Sequence, residues 1–148
     1  MKTLTLLLTL LLTVLCSIAT PALAGQACNA ATTRGFYGFT CDGYLAPAAG
    51  ASLQFARSLG TCSADRHGVF TCEATVNVAG QPLVQGLTGQ SVTNADCTGT
   101  ITYQQTIFGQ PVPDLHIRYF VLDDGDTIKG LPLDSGQVLS CVLKRIHN

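Results

Sequence analysis

Charged residues are scarce in this chain of 148 amino acids. They make up 11% of the sequence, and the formal net charge is −1, whereas an average protein carries roughly 25% charged residues. This composition argues against nucleic-acid binding, which depends on a basic surface. The apolar share of 47% argues against intrinsic disorder, which combines low hydrophobicity with high charge.

Several chemical motifs are also missing. The sequence has no tryptophan, no Cys-x-x-Cys pair, no nucleophile elbow, no zinc-protease motif and no phosphate-binding loop. Its histidines, His67, His116 and His147, are not at metal-ligand spacing. The aspartates of residues 123–126 do not follow a calcium-loop pattern and are assigned to an Asp-Gly hairpin turn. We therefore predict no catalytic residue, no metal site and no cofactor.

The one long apolar run lies at the amino terminus. Lys2 precedes the apolar stretch from Leu4 to Leu15, and Ala22-Leu23-Ala24 has the small-x-small form of a cleavage site. This order predicts a secretory signal peptide over residues 1–24 and a mature chain that begins at Gly25. The run is short for a membrane span, so we expect no stable membrane insertion after cleavage. The expected location is the periplasm or the extracellular space.

Cysteine usage agrees with export. Without Cys16 of the signal segment, six cysteines remain in the mature chain: Cys28, Cys41, Cys62, Cys72, Cys97 and Cys141. An even number of cysteines in an exported chain predicts a disulfide framework. No oligomeric state is indicated.

One pairing follows from the register of a predicted hairpin. If Cys62 faces Cys72, the loop is Arg66-His67-Gly68, and such a loop needs glycine last, in the left-handed conformation. Two pairings of the other four cysteines stay open. Cys41–Cys141 with Cys28–Cys97 would link the first strand to the last, and Cys28–Cys41 with Cys97–Cys141 is the alternative.

Alternating apolar and polar residues dominate the mature chain, and helical periodicity is nearly absent. In the second strand the apolar positions change from odd (Leu53, Phe55, Leu59) to even, which predicts a bulge at Gly60. A loop is expected from Gly109 to Asp114, because it holds two prolines. The pattern predicts eight strands: residues 35–45, 53–64, 69–79, 83–92, 99–108, 115–122, 127–131 and 137–145.

Eight strands joined by short connections predict an all-β fold. We expect residues 25–148 to form a single antiparallel up-and-down barrel, because closure removes the exposed edges of an open sheet. A two-sheet β-sandwich is the alternative.

The segment from Gly89 to Thr100 resembles a loose group of small secreted bacterial proteins of uncharacterised function. Its most specific part is the motif Asp96-Cys97-Thr98-Gly99-Thr100, and residues 120–125 and 136–145 match the tail of the group. Ser91 stands where the group usually has an aromatic residue. The group looks like calycin or allene-oxide-cyclase-type barrels, so the resemblance implies a barrel and no established activity. Asp96 and Thr98 also have a plain structural explanation, because such side chains bind nearby backbone amides in turns.

Five aromatic residues fall on the apolar faces of their strands: Tyr37, Phe39, Phe70, Tyr103 and Tyr119. They either line a cavity for a ligand, with tyrosine hydroxyls that orient it, or they fill the interior. The first alternative predicts a secreted binding module. Its partner would be a small apolar molecule, or an envelope or extracellular partner met through the loops.

Two further functions stay open. His116 and Arg118 share one face of the sixth strand, and a cation, a histidine and a carboxylate such as Glu73 or Asp42 inside a barrel would suit a cyclase or isomerase. The opposite face of that strand is the more apolar one, however, so both side chains are expected to face solvent. The third function is a structural or adhesive surface protein with a packed core.

Overall fold

The computed structural model describes residues 27–46, 50–107 and 110–147, without the side chains of residues 107 and 110–113. The predicted signal peptide lies outside the described residues. Eight strands follow one another: β1 (Gly35–Leu45), β2 (Gln54–Ala64), β3 (Val69–Val78), β4 (Gln81–Thr93), β5 (Thr98–Ile107), β6 (Gln110–Leu122), β7 (Thr127–Pro132) and β8 (Gln137–Arg145). A short 3₁₀ turn, Asp123–Gly125, lies between β6 and β7. No helix in these ranges has the length and hydropathy needed to cross a membrane.

The strands close into a barrel. Each strand pairs antiparallel with the next, and β8 returns to pair with β1 from Tyr37↔Arg145 to Leu45↔Gln137. The predicted all-β, up-and-down barrel is confirmed, and the sandwich alternative is wrong. We call the end at which β1 begins the lower end, and the end at which β1 stops the upper end.

Strand alternation decides which side chains face inward. On β3, Cys72, Ala74, Val76 and Val78 are buried, and the residues between them are exposed. Because side chains of a strand point alternately to the two faces of the sheet, one set from every strand converges on the barrel axis. These sets form the interior.

The predicted bulge at Gly60 is wrong. The registers of β1 with β2 and of β2 with β3 run without interruption through Phe39↔Gly60 and Gly60↔Ala74. Phe55 and Leu59 face outward, with 52% and 65% of their surface exposed, so even positions point inward along the whole strand. A Cβ on Gly60 would lie 2.7 Å from the ring of Phe39. The backbone oxygen of Glu73 on β3 would be nearer still, so the glycine makes room both for the neighbouring strand and for an aromatic ring.

The predicted loop from Gly109 to Asp114 is also wrong in its extent. Strand β6 begins at Gln110, and Pro111 pairs with Thr106. The register then shifts between Gln105↔Val112 and Tyr103↔Leu115, which sets Pro113 and Asp114 opposite one residue of β5. Such a bulge interrupts the ladder of hydrogen bonds, and proline, which has no N–H to donate, is tolerated there.

Three disulfides link the barrel. They join Cys62 to Cys72, Cys41 to Cys141, and Cys28 to Cys97. The first is the pairing expected from the hairpin register, and Gly68 has the left-handed conformation that the turn requires, with φ +84°. The other two correspond to the first of the two open alternatives, because closure brings Cys41 of β1 opposite Cys141 of β8.

The segment before β1 lies across the lower end. The Cys28–Cys97 disulfide anchors it to the β4–β5 turn, and the Cys28 amide donates to the Ala95 oxygen at 3.3 Å. Arg145 donates to the Thr32 oxygen and to the Tyr37 hydroxyl, at 2.8 and 2.9 Å. These contacts link the first segment, the first strand and the last strand, and they close the floor of the barrel.

Candidate ligand-binding cavity

A cavity of about 460 Å³ lies inside the barrel, and all eight strands contribute to its wall. This volume is within the range of roughly 300–1,000 Å³ that is usual for small-molecule sites. The interior is therefore not filled completely by its own side chains.

The five aromatic residues singled out in the sequence all lie on the cavity wall. Tyr37 and Tyr119 are almost fully buried, Phe39 and Tyr103 are buried, and Phe70 is half-buried. Tyr37, Phe39 and Tyr119 belong to the packed cluster in the lower part of the barrel. They form an aromatic floor to the cavity.

Most of the remaining wall is aliphatic or sulfur. The Cys41–Cys141 and Cys62–Cys72 disulfides face inward and line the cavity. Aliphatic side chains complete it: Leu45, Val76, Val78, Leu83, Leu87, Ile101, Leu115, Ile117, Ile128, Leu139 and Leu143. An apolar molecule would exchange water for hydrocarbon contact over nearly its whole surface.

Polar side chains of the lower half are bonded to the protein. The Tyr37 hydroxyl donates to the Gly125 oxygen at 2.9 Å, and the Tyr119 hydroxyl lies 2.6 Å from the Thr93 hydroxyl. Ser91 donates to the Gly68 oxygen at 3.1 Å. These groups have partners already and leave the floor of the cavity effectively apolar.

Polar side chains of the upper half differ from those of the lower half in their hydrogen bonding. Gln85, Gln105 and Gln137 line the cavity toward the upper end, Tyr103 lies next to them, and Ser58 lies at mid-height. Gln85 is 9% exposed and Tyr103 is 8% exposed. Within the described part of the chain, none of these five side chains hydrogen-bonds to another protein group, and no fully enclosed polar atom is left without a partner. Their polar atoms therefore face the open space of the cavity.

The part of the wall formed by the described residues carries no formal charge. Among the residues described, no aspartate, glutamate, lysine, arginine or histidine lines the cavity. Burial raises the pKa of Tyr103 to about 12, and the charge of Asp134 contributes to the shift. Burial also raises the pKa values of Tyr37 and Tyr119. All three tyrosines on the wall are neutral hydroxyl groups at physiological pH.

The residues considered for catalysis lie outside the barrel. His116 and Arg118 are exposed on the outer face of β6, and the Nδ1 atom of His116 lies 3.1 Å from Asp134 Oδ1. Asp42 pairs with Arg57 on the outer surface, and Glu73 is exposed on β3. The histidine, the cation and the carboxylates do not meet in the cavity.

The turn at Asp96 has the local structure that its residue types predict. One oxygen of Asp96 accepts from the backbone amide and the hydroxyl of Thr98, at 3.0 and 2.7 Å. These hydrogen bonds, the hydroxyl bond first, hold the pKa of the Asp96 carboxyl below its usual value. In the Asp123–Gly125 turn, Asp123 accepts from Thr127, and nearby Asp126 pairs with Arg145. No cluster of three potential metal ligands occurs in the described ranges.

Sequence reasoning missed the polar end of the cavity. Gln85 lies between Leu83 and Leu87 at the same odd parity on β4, and the three residues line the cavity together. Ser58 shares its even parity with buried Ala56 and Cys62 on β2. The signal was present in the alternation, since these polar residues occupy inward positions of otherwise apolar faces.

Comparisons of the chain with protein-family models, curated proteins and solved structures found no match. The calycin-type resemblance stays a prediction. Function must therefore be argued from the cavity and its wall.

Proposed function

We propose that the protein is an exported carrier that holds one small apolar molecule inside its barrel. The observation that supports this function is the apolar cavity of about 460 Å³ enclosed by a closed, disulfide-linked sheet. Protein interiors are normally packed to the density of organic crystals, with few voids larger than a water molecule. Space of this size inside a barrel of eight strands suits one small ligand.

The size of the cavity limits the ligand. One water molecule occupies about 30 Å³ in the liquid, so the space corresponds to roughly 15 such volumes and to a ligand of roughly 15 non-hydrogen atoms. A packed-core surface protein would not need this space. A cyclase or isomerase would need an acid or base beside the substrate, and the charged candidates lie on the outer surface.

The disulfides support the location that the proposal requires. Three disulfides are typical of extracellular or periplasmic proteins, since reducing compartments keep thiols free. Together with the predicted signal peptide over residues 1–24, they favour a carrier that acts after export.

The experiment compares a variant that fills the cavity with a matched variant on the outer surface. Ser58 faces inward and Ser63 faces outward on the same strand, β2. We expect Ser58→Phe to weaken binding of the neutral fluorescent probe N-phenyl-1-naphthylamine at least tenfold, because the new ring occupies the space of at least two methylene-sized groups of ligand, each worth about 0.8 kcal/mol. Ser63→Phe should bind the probe like the wild type.

Leu87→Trp is a second filling variant, which occupies the cavity from another strand, β4. Thermal unfolding of each variant shows whether its barrel is intact. The proposal is contradicted if the wild type does not bind the probe, or if both filling variants fold and bind it normally.

A further inference from the structure

We propose that the ligand is an amphiphile with an uncharged, hydrogen-bonding head group, held at the upper end of the cavity by Gln85, Gln105 and Tyr103. This inference rests on the proposed carrier function and adds the chemical class of the ligand and its orientation. An alcohol, a ketone, an aldehyde or an amide at the end of an apolar chain or ring belongs to this class.

The polar groups at the two ends of the cavity differ in their hydrogen bonding. Near the floor, the hydroxyls of Tyr37, Tyr119 and Ser91 all bond to protein atoms. Toward the upper end, Gln85 and Tyr103 are more than nine-tenths buried, and neither bonds to another described residue. Buried polar groups normally have partners. Since no fully enclosed polar atom lacks a partner in the described part of the chain, the polar atoms of Gln85 and Tyr103 are open to the cavity, where a bound head group can bond to them.

Gln85, Gln105 and Tyr103 occupy neighbouring inward positions on β4 and β5. Gln105 lies opposite Leu87 across the β4–β5 pair, so Gln85 is its diagonal neighbour on β4. Diagonal neighbours on one face of a sheet lie roughly 7–8 Å apart, within reach of long side chains. Tyr103 is the next inward residue below Gln105 on β5. Gln105 therefore lies within side-chain reach of both Gln85 and Tyr103, so a ligand group beside Gln105 can bond to it and to either neighbour.

These side chains can both donate and accept hydrogen bonds. A glutamine amide offers two donors and one acceptor oxygen, and a neutral tyrosine hydroxyl both donates and accepts. Such a set can donate to the oxygen of an alcohol or a carbonyl, and it can accept from the hydroxyl of an alcohol. It supplies no countercharge for an ionised group.

An ionised head group would find no countercharge on the described part of the wall. No acidic, basic or histidine side chain of the described residues lines the cavity. A carboxylate or an ammonium group transferred into an apolar site without a countercharge tends to become neutral, through a shift of its pKa. A fatty acid should therefore enter in its protonated form, and a long-chain amine should enter as the free base.

The test uses two ligands with the same ten-carbon chain, decan-1-ol and decanoate, which compete with N-phenyl-1-naphthylamine for the wild-type protein. At pH 8 we expect decan-1-ol to bind at least tenfold more tightly than decanoate, because the acid must bind a proton to enter. The affinity of decanoate should rise by about tenfold for each unit by which the pH falls toward 5, while that of decan-1-ol stays constant.

A second arm tests the named side chains. Gln85→Leu and Gln105→Leu should each weaken octan-1-ol binding about threefold to tenfold, the usual effect of one lost hydrogen bond, and should not weaken binding of octane. Gln104→Leu is the matched control, because Gln104 faces outward on the same strand and bonds to Asp114. The affinity of the Gln104→Leu variant for octan-1-ol should equal that of the wild type.

The outcomes separate this inference from the carrier function. Equal affinity for decan-1-ol and decanoate at pH 8, with the probe still bound, overturns the uncharged head group and leaves the carrier function intact. The polar end is placed wrongly if Gln85→Leu and Gln105→Leu weaken octan-1-ol and octane equally. Failure of the probe and of every alkyl ligand to bind removes the carrier function itself.

Discussion

The disulfide that closes the barrel should stabilise the fold more than the disulfide within one hairpin. Cys41–Cys141 spans a sequence separation of 100, and Cys62–Cys72 spans 10. In other respects the two are matched, because each joins directly opposite residues of neighbouring strands, with a Cα–Cα distance of 4.0 Å, and each lines the cavity. Replacing either pair with alanine removes similar side-chain volume from the same interior.

The difference can be estimated from the entropy of the unfolded chain. With Cys28–Cys97 intact, the shortest loop closed by Cys41–Cys141 runs through that disulfide and contains about 57 residues. The chain-entropy relation predicts that a disulfide closing a loop of this length stabilises the fold by about 4.2 kcal/mol, and that one closing the ten-residue hairpin loop stabilises it by about 2.7 kcal/mol. The Cys41→Ala/Cys141→Ala variant should therefore be less stable than Cys62→Ala/Cys72→Ala by about 1.5 kcal/mol.

Calorimetry without reductant measures this difference. About 1.5 kcal/mol corresponds to a melting temperature roughly 6 °C lower for the Cys41/Cys141 variant in a domain of this size. Equal melting temperatures, or a lower value for the Cys62/Cys72 variant, would refute the reasoning from loop length.

Two further predictions concern a turn and a titration. Gly68→Val should destabilise the protein by at least about 1 kcal/mol more than Gly80→Val. Both glycines have a left-handed φ, but only a Cβ at Gly68 would collide with Ser91. Equal urea midpoints for the two variants would reject this explanation of the turn. The pKa of Tyr103 is about 12 in the folded protein and about 10 in the unfolded chain. As the pH rises, the tyrosine therefore loses its proton first in the unfolded chain, and the free energy of unfolding should fall between about pH 10 and pH 12. Tyr103→Phe should lose less stability over that interval in urea unfolding, and an identical loss would contradict the burial of the hydroxyl.

The closed barrel was predictable because alternation and turn residues are local signals. β3 shows this best, since Cys72, Val76 and Val78 occupy one parity and the polar residues the other. The same rule failed on β2, where apolar Phe55 and Leu59 lie on the outer surface. The Tyr44 and Phe55 rings meet edge to face across the β1–β2 pair, with centroids 5.8 Å apart. Such contacts stabilise apolar residues outside the barrel and obscure the pattern.

The cavity itself was only one of two alternatives from sequence. Whether inward aromatic residues fill a barrel depends on the summed volume of side chains from all its strands, and on which residues share each level. Ring orientations at Phe39 and Tyr119, and the room left by Gly60, are properties of the assembled barrel. The choice between the two cysteine pairings likewise required strand closure, which brings Cys41 to Cys141.

Native mass spectrometry of the protein purified from its own host shows whether the barrel carries a ligand. If the protein is a carrier, a fraction of the molecules should hold one added neutral mass of roughly 150–300 Da, in keeping with a cavity of about 460 Å³. After removal of that ligand, decan-1-ol should add back one equivalent to the wild type and far less to Ser58→Phe. A protein that carries no added mass and takes up no decan-1-ol would contradict the proposal that this barrel is a carrier.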